Sequence, residues 1–257
     1  MFFSIAKDFL LEYSLFMSFL IPLFLCFSWF LIFSVIFVLT VPGMKIRYEL
    51  WAGFLGLAAV MPVAFAEYFA LDLPFFKITG FASILTTAFV FYGLIEEFFK
   101  LVFMMLIPAK NLRLPVFFAL CLVCGFAFGG FETVIYLLTF LQKNRGAGIN
   151  GIFAFVLLRL VTSVPIHVFC AGLSGLCIWT FKAAKCRRNV MPFFLAVCMH
   201  GLYDFFAKYP SPFYYFIIPV ILFAAINCRV YYMEFSGKGE KVNGSEKKVT
   251  DVSEKPL

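Results

Sequence analysis

The sequence predicts an all-α protein, a polytopic transmembrane bundle of about seven helices, and three features of the chain lead there. Residues of the set AVILMFWYC fill 63% of the 257 positions, only 14% are charged, and the mean hydropathy is +0.99. A soluble domain with that composition lacks the polar surface to cover its core. The apolar residues lie in long runs, and a hydrocarbon layer of roughly 30 Å needs about 20 of them per crossing. Between the runs stand short segments rich in Pro, Gly, Lys and Arg.

Each crossing has its own boundaries. The first run, 13–41, is about twice as long as a signal-peptide core and lacks a small-x-small cleavage site, so it is expected to stay as a helix. Before it, Phe2, Phe3, Ile5 and Phe9 set among Lys7 and Asp8 suit an arm lying along the interface. Pro42-Gly43 ends the first helix; the second, 51–71, stops at Asp72 and Pro74. The third, 81–107, stops at Pro108, and the fourth covers 115–140. The fifth, 152–181, contains Pro165, which should bend it. The sixth, 190–207, ends before Pro210-Ser211-Pro212, and the seventh spans 213–233. Gly125, Gly129 and Gly130 give the fourth helix a small-residue strip for close approach, as Gly172 and Gly175 do for the fifth. Residues 1–235 thus read as one transmembrane bundle, and 236–257, polar with little to bury, as a disordered cytosolic tail.

Charge sets the expected orientation. Loops after the first, third and fifth helices hold Lys45, Arg47, Lys110, Arg113, Lys182, Lys185, Arg187 and Arg188, against Lys7, Lys77, Lys143, Arg145 and Lys208 on the other side. By the positive-inside rule the N-terminus lies outside and the C-terminus in the cytosol. The same rule accounts for the net charge of +7, so nucleic acid is not an expected partner. Seven of the 8 cysteines fall within predicted spans and read as small buried apolar residues. Cys121 and Cys124 form a C-x-x-C with no second pair at zinc-site spacing.

Against this apolar background Glu67, Glu96, Glu97, Lys100, Glu132, Arg159, His167, His200 and Asp204 all fall inside predicted helices. Each charge at a bilayer centre costs about 2.5–3.5 kcal/mol on insertion scales, so these groups must converge or line water. At 1.5 Å rise per residue, Glu96, His167 and His200 lie within roughly 3 Å of the midplane and Glu132 within roughly one turn of it. Lys100 shares a face with Glu96 and Glu97 and can neutralise one while the other stays available. His200 and Asp204, four apart, suit a carboxylate that fixes an imidazole tautomer. Phe128, one turn before Glu132, can wall off the site. Glu67 and Arg159 share a depth toward the outer side, which fits a structural ion pair or a polar rim.

Two functions use such a cluster: hydrolysis inside the membrane, or proton- or ion-coupled transport. Absence of a visible repeat and of paired broken helices weighs against the transporter. The chain has no phosphate-loop, G-x-S-x-G or H-E-x-x-H motif.

Glu96-Glu97-Phe98-Phe99-Lys100, Phe128 to Glu132, Arg159 through His167 to Gly175, and His200 to Asp204 together resemble, in order and on four successive helices, the motifs of PrsW-type intramembrane proteases. That family lies within the superfamily of CAAX prenyl-protein proteases and bacteriocin-processing enzymes. The resemblance covers about residues 90–206; Thr133 departs from the Asn usual after the motif glutamate. It implies an endopeptidase of the bacterial cytoplasmic membrane that cleaves membrane-anchored proteins, with anti-sigma factors as the described substrate class. Glu96 or Glu97 would act as general base, with His167 and His200 as further catalytic groups, and Lys100, Glu132, Arg159 and Asp204 in support. Zinc, held by Glu132, His167 and His200, and a glutamate-only mechanism both use these residues.

Overall fold

The computed structural model describes residues 20, 23–24, 27–70, 80–144, 148–182, 188–208 and 212–253, with side chains to 237 except at 67, 68 and 70. The interfacial arm, the side chain of Glu67 and the loop cations Lys7, Lys77, Arg145, Lys185 and Arg187 lie outside the described residues. Among those residues the structure is helical throughout, without strands: α1 (Phe27–Thr40), α2 (Ile46–Ala70), α3 (Phe81–Thr86), a π-helical stretch (Thr87–Ile95), α4 (Glu96–Met104), α5 (Leu114–Lys143), α6 (Ile149–Val161), α7 (Ser163–Lys182), α8 (Met191–Lys208) and α9 (Ile217–Ser253). α3, the π stretch and α4 follow one another as one helical segment, and α6 with α7 as another, which makes seven helical segments among the described residues. Four of them, beginning at Ile46, Leu114, Ile149 and Phe213, are long and apolar enough to cross a membrane by composition alone.

Boundaries follow local chemistry. Gly43 takes φ 91°, a left-handed turn that glycine adopts without strain, and lets α2 begin at Ile46, ahead of the expected 51. Glu49 is thereby carried inside the bundle, 1% exposed. The guanidinium of Arg113 donates to the Pro42 carbonyl and ties the start of α5 to this turn. Pro165 lacks the N–H that would bond the carbonyl four residues back, and the helix breaks nearby, at Thr162 (φ −121°, ψ −65°). The break lies between Arg159 and His167, which stand on α6 and α7.

α5 and α7 form the centre: the α5 span is 72% buried against 22% for the last crossing. Their contact depends on missing side chains. A Cβ on Gly129 would stand 2.7 Å from His167 Cδ2 and 3.1 Å from Val164 Cα. Gly125 also faces α7, at the His167 carbonyl and Ala171 Cβ, whereas Gly130 has open space and takes no part in the strip expected from sequence. Gly93, in the π stretch, meets Gly201 of α8 backbone to backbone, where its Cβ would be 2.7 Å from the Val197 carbonyl.

These contacts make a contrast between neighbours testable. Gly129→Leu should destabilise the protein by about 1–3 kcal/mol through overpacking, while Gly130→Ala should leave the denaturation midpoint in detergent unchanged or slightly raised; equal effects of the two would refute the packing described.

Candidate active site and metal centre

Five side chains form the inner layer. Glu96, Glu97, Lys100, His167 and His200 are each between 0% and 2% exposed. α4 supplies the first three, α7 and α8 the imidazoles, whose rings meet edge-on with centroids 4.7 Å apart. Phe128 closes one side, its ring 5.1 Å from that of His167, with Lys100 Nζ 4.6 Å above its face.

Within this layer the two adjacent glutamates differ. Glu97 pairs with Lys100, accepts from His200 Nδ1 at 2.8 Å and from the Ser174 hydroxyl at 3.3 Å. Three donors engage both of its oxygens and make it a fixture. Glu96 instead faces ring nitrogens, its Oε2 3.6 Å from His200 Nε2 and 4.0 Å from His167 Nδ1.

An outer layer orients the rings. Glu132 Oε2 lies 2.7 Å from His167 Nε2 and also accepts from Arg159 at 2.8 Å and from the Ser163 hydroxyl at 3.1 Å. Arg159 therefore pairs with Glu132, and its guanidinium stacks 4.0 Å over the Tyr136 ring. Asp204 Oδ2 sits 3.3 Å from His200 Nε2, farther than Glu97 is from Nδ1. Thr133 turns its hydroxyl back to the Gly129 carbonyl at 2.8 Å and does not reach the rings.

Tautomers follow from acceptor chemistry. An ionised carboxylate only accepts, so His167 carries its proton on Nε2 towards Glu132, and the Lys100 ammonium, 3.1 Å from Nδ1, requires a lone pair there. His200 likewise gives its Nδ1 proton to Glu97. His167 Nδ1, which faces Lys100, and His200 Nε2, which lies 3.3 Å from Asp204, are the ring nitrogens nearest Glu96.

This donor set suits a metal ion. Ligand atoms of Glu96, His167 and His200 all lie within 4.8 Å of one another, and each ring has its second nitrogen clamped by a carboxylate, the usual support for a metal-binding histidine. Four carboxylates, Glu96, Glu97, Glu132 and Asp204, gather here with the cations Lys100 and Arg159, and Lys208 acts on Asp204 from one turn away. Sequence reasoning passed over Ser163 and Ser174. Ser163 lies four residues from both Arg159 and His167, and Ser174 seven beyond His167, so helical spacing offered a signal for each.

A family model described as PrsW family intramembrane metalloprotease matches residues 45–226 of the chain. The Protease PrsW of Oceanobacillus iheyensis is 30% identical over 176 residues, which covers 65% of this chain and 74% of that protein. No solved structure matches.

The Glu97–Lys100 pair should carry stability independently of chemistry. Glu97→Gln leaves a buried ammonium uncompensated, with an expected loss of about 3–5 kcal/mol, and adding Lys100→Met should recover part of it. A Glu97→Gln protein with the wild-type denaturation midpoint would contradict the pairing.

Proposed function

The chain belongs to the PrsW family of intramembrane metalloproteases and is therefore a protease of the membrane, and from that premise we propose that Glu96, His167 and His200 form its hydrolytic centre and hold its metal, zinc being the ion this donor set fits best. The observation that carries this reading is the convergence of one nitrogen of each imidazole on Glu96, the other nitrogen of each ring being held by a carboxylate. Nothing in the family or in the site favours a transporter.

Peptide hydrolysis needs an activated water, stabilisation of the tetrahedral oxyanion and a proton for the leaving amine. Zinc bound by these residues supplies Lewis-acid polarisation of the carbonyl and a water that ionises near neutral pH. Of the two glutamates named as candidate bases, Glu97 already accepts from Lys100, His200 and Ser174, so proton transfer would fall to Glu96, whose one carboxylate oxygen would hold the metal while the other takes the proton of the attacking water and returns it to the amine. Glu132 and Arg159 fix the plane of the His167 ring, and Glu97 that of His200. In this reading Glu132 positions a ligand and is not one itself.

The substrates are membrane-anchored proteins, cut within the bilayer; an anti-sigma-factor-like protein is the class that the family resemblance points to. The loop charges support an external N-terminus and a cytosolic C-terminus in the bacterial cytoplasmic membrane.

Wild type and the variants Glu96→Gln, His167→Ala and His200→Ala, each expressed with a library of single-span membrane proteins, test the assignment. New fragments are expected from wild type alone; fragments shared by all four, or produced by none, would overturn it. Glu132→Gln should lower zinc affinity or activity by about 10- to 100-fold, and zinc should co-purify with wild type but not with His200→Ala.

A further inference from the structure

Beside the hydrolytic centre lies a cavity of about 130 Å³ between α2 and α5, and its floor holds Glu96 and Glu132. The two helices touch closely one turn earlier, where a Cβ on Gly56 would lie 3.0 Å from Ala127 Cβ. Pro62 lies inside α2 on the turn that lines the cavity, where its missing N–H removes a helical hydrogen bond. The opening is rimmed by Ala64, Tyr136 and Thr139, all exposed, whereas Val60, Val63 and Phe128 deeper in are buried. The cavity thus runs from the lipid-facing surface to the reacting carboxylate.

Building on the proteolytic reading above, we infer that this cleft admits the substrate chain sideways, and that it takes one uncharged aliphatic side chain next to the bond that is cut. A water's share of liquid volume is about 30 Å³, so there is room for about four waters or one aliphatic side chain. A helix, roughly 10–12 Å across with its side chains, does not fit, and the substrate reaches Glu96 only where its own helix has opened. Val60, Val63 and Ile135 offer apolar walls, while the carboxylates of Glu96 and Glu132 at the floor repel an acidic side chain. Ala64 and Thr139 lie in the C-terminal halves of α2 and α5, the end that the loop charges assign to the outer side, so the chain enters from the outer half of the bilayer.

The test uses the full-length protein in liposomes and the single-span reporter that wild type cuts best, with the cut mapped by mass spectrometry. The residues flanking the cut are then varied through Gly, Ala, Val, Leu, Trp and Asp. At one of the two positions, wild type should prefer Ala, Val or Leu over Trp and Asp by about tenfold or more in kcat/KM. Ala64→Phe and Thr139→Phe, exposed rim substitutions that the fold tolerates, should lower cleavage of the Leu reporter about tenfold while the Gly reporter changes little. Val63→Ala should relax the exclusion of Trp. Rim variants that scale every reporter equally, or not at all, would overturn this cleft as the subsite while leaving the protease assignment standing. A wild type that cuts no reporter would overturn both.

Discussion

A charge in hydrocarbon has no water to lean on, and each one placed there alone costs about 2.5–3.5 kcal/mol. This chain carries Glu96, Glu97, Lys100, His167 and His200 at 0–2% exposure, and the bundle meets the cost by making each the partner of another. The Glu97–Lys100 pair is the keystone, because it holds the His200 ring from one side and sets an ammonium beside His167 from the other. Around that pair the architecture follows. α5 and α7 approach through Gly125 and Gly129, α8 meets the π stretch through Gly93 and Gly201, and the helix breaks at Thr162 so that Arg159 reaches Glu132.

In the proposed centre, chemistry and stability fall to neighbours in sequence. Glu97 is engaged by Lys100, His200 and Ser174, while Glu96 faces the two ring nitrogens and the cavity. The division arises from helix geometry: successive residues point about 100° apart, so a paired Glu-Glu at a bundle interior offers one carboxylate to the packing and one to the site. The π-helical stretch just before Glu96 changes the rotation with which both are presented, and π turns recur at functional sites for that reason.

Much of this was legible before any coordinates. Hydropathy and Pro/Gly punctuation mark out the seven helical segments, and depth along each helix brings Glu96, Glu132, His167 and His200 to one layer because rise per residue is fixed. Direction around each axis is less accessible. That His200 is held by Glu97 more closely than by Asp204, and that Arg159 joins Glu132, depends on crossing angles set by tertiary contact. The π stretch has no sequence signature beyond Gly93, since it reflects how that segment packs on α8. Gly130 misled for a similar reason: it sits beside Gly129 in sequence but faces open space. Ser163 and Ser174 were recoverable from spacing and were hidden only by being neutral.

Zinc-edge X-ray absorption on the loaded, purified protein tests the centre most directly. Coordination by Glu96, His167 and His200 gives a first shell of nitrogen and oxygen with the outer-shell scattering of two imidazoles, and His167→Ala removes one of them. A first shell containing sulfur, which would point to Cys121 and Cys124, or a spectrum without imidazole scattering, would contradict the assignment.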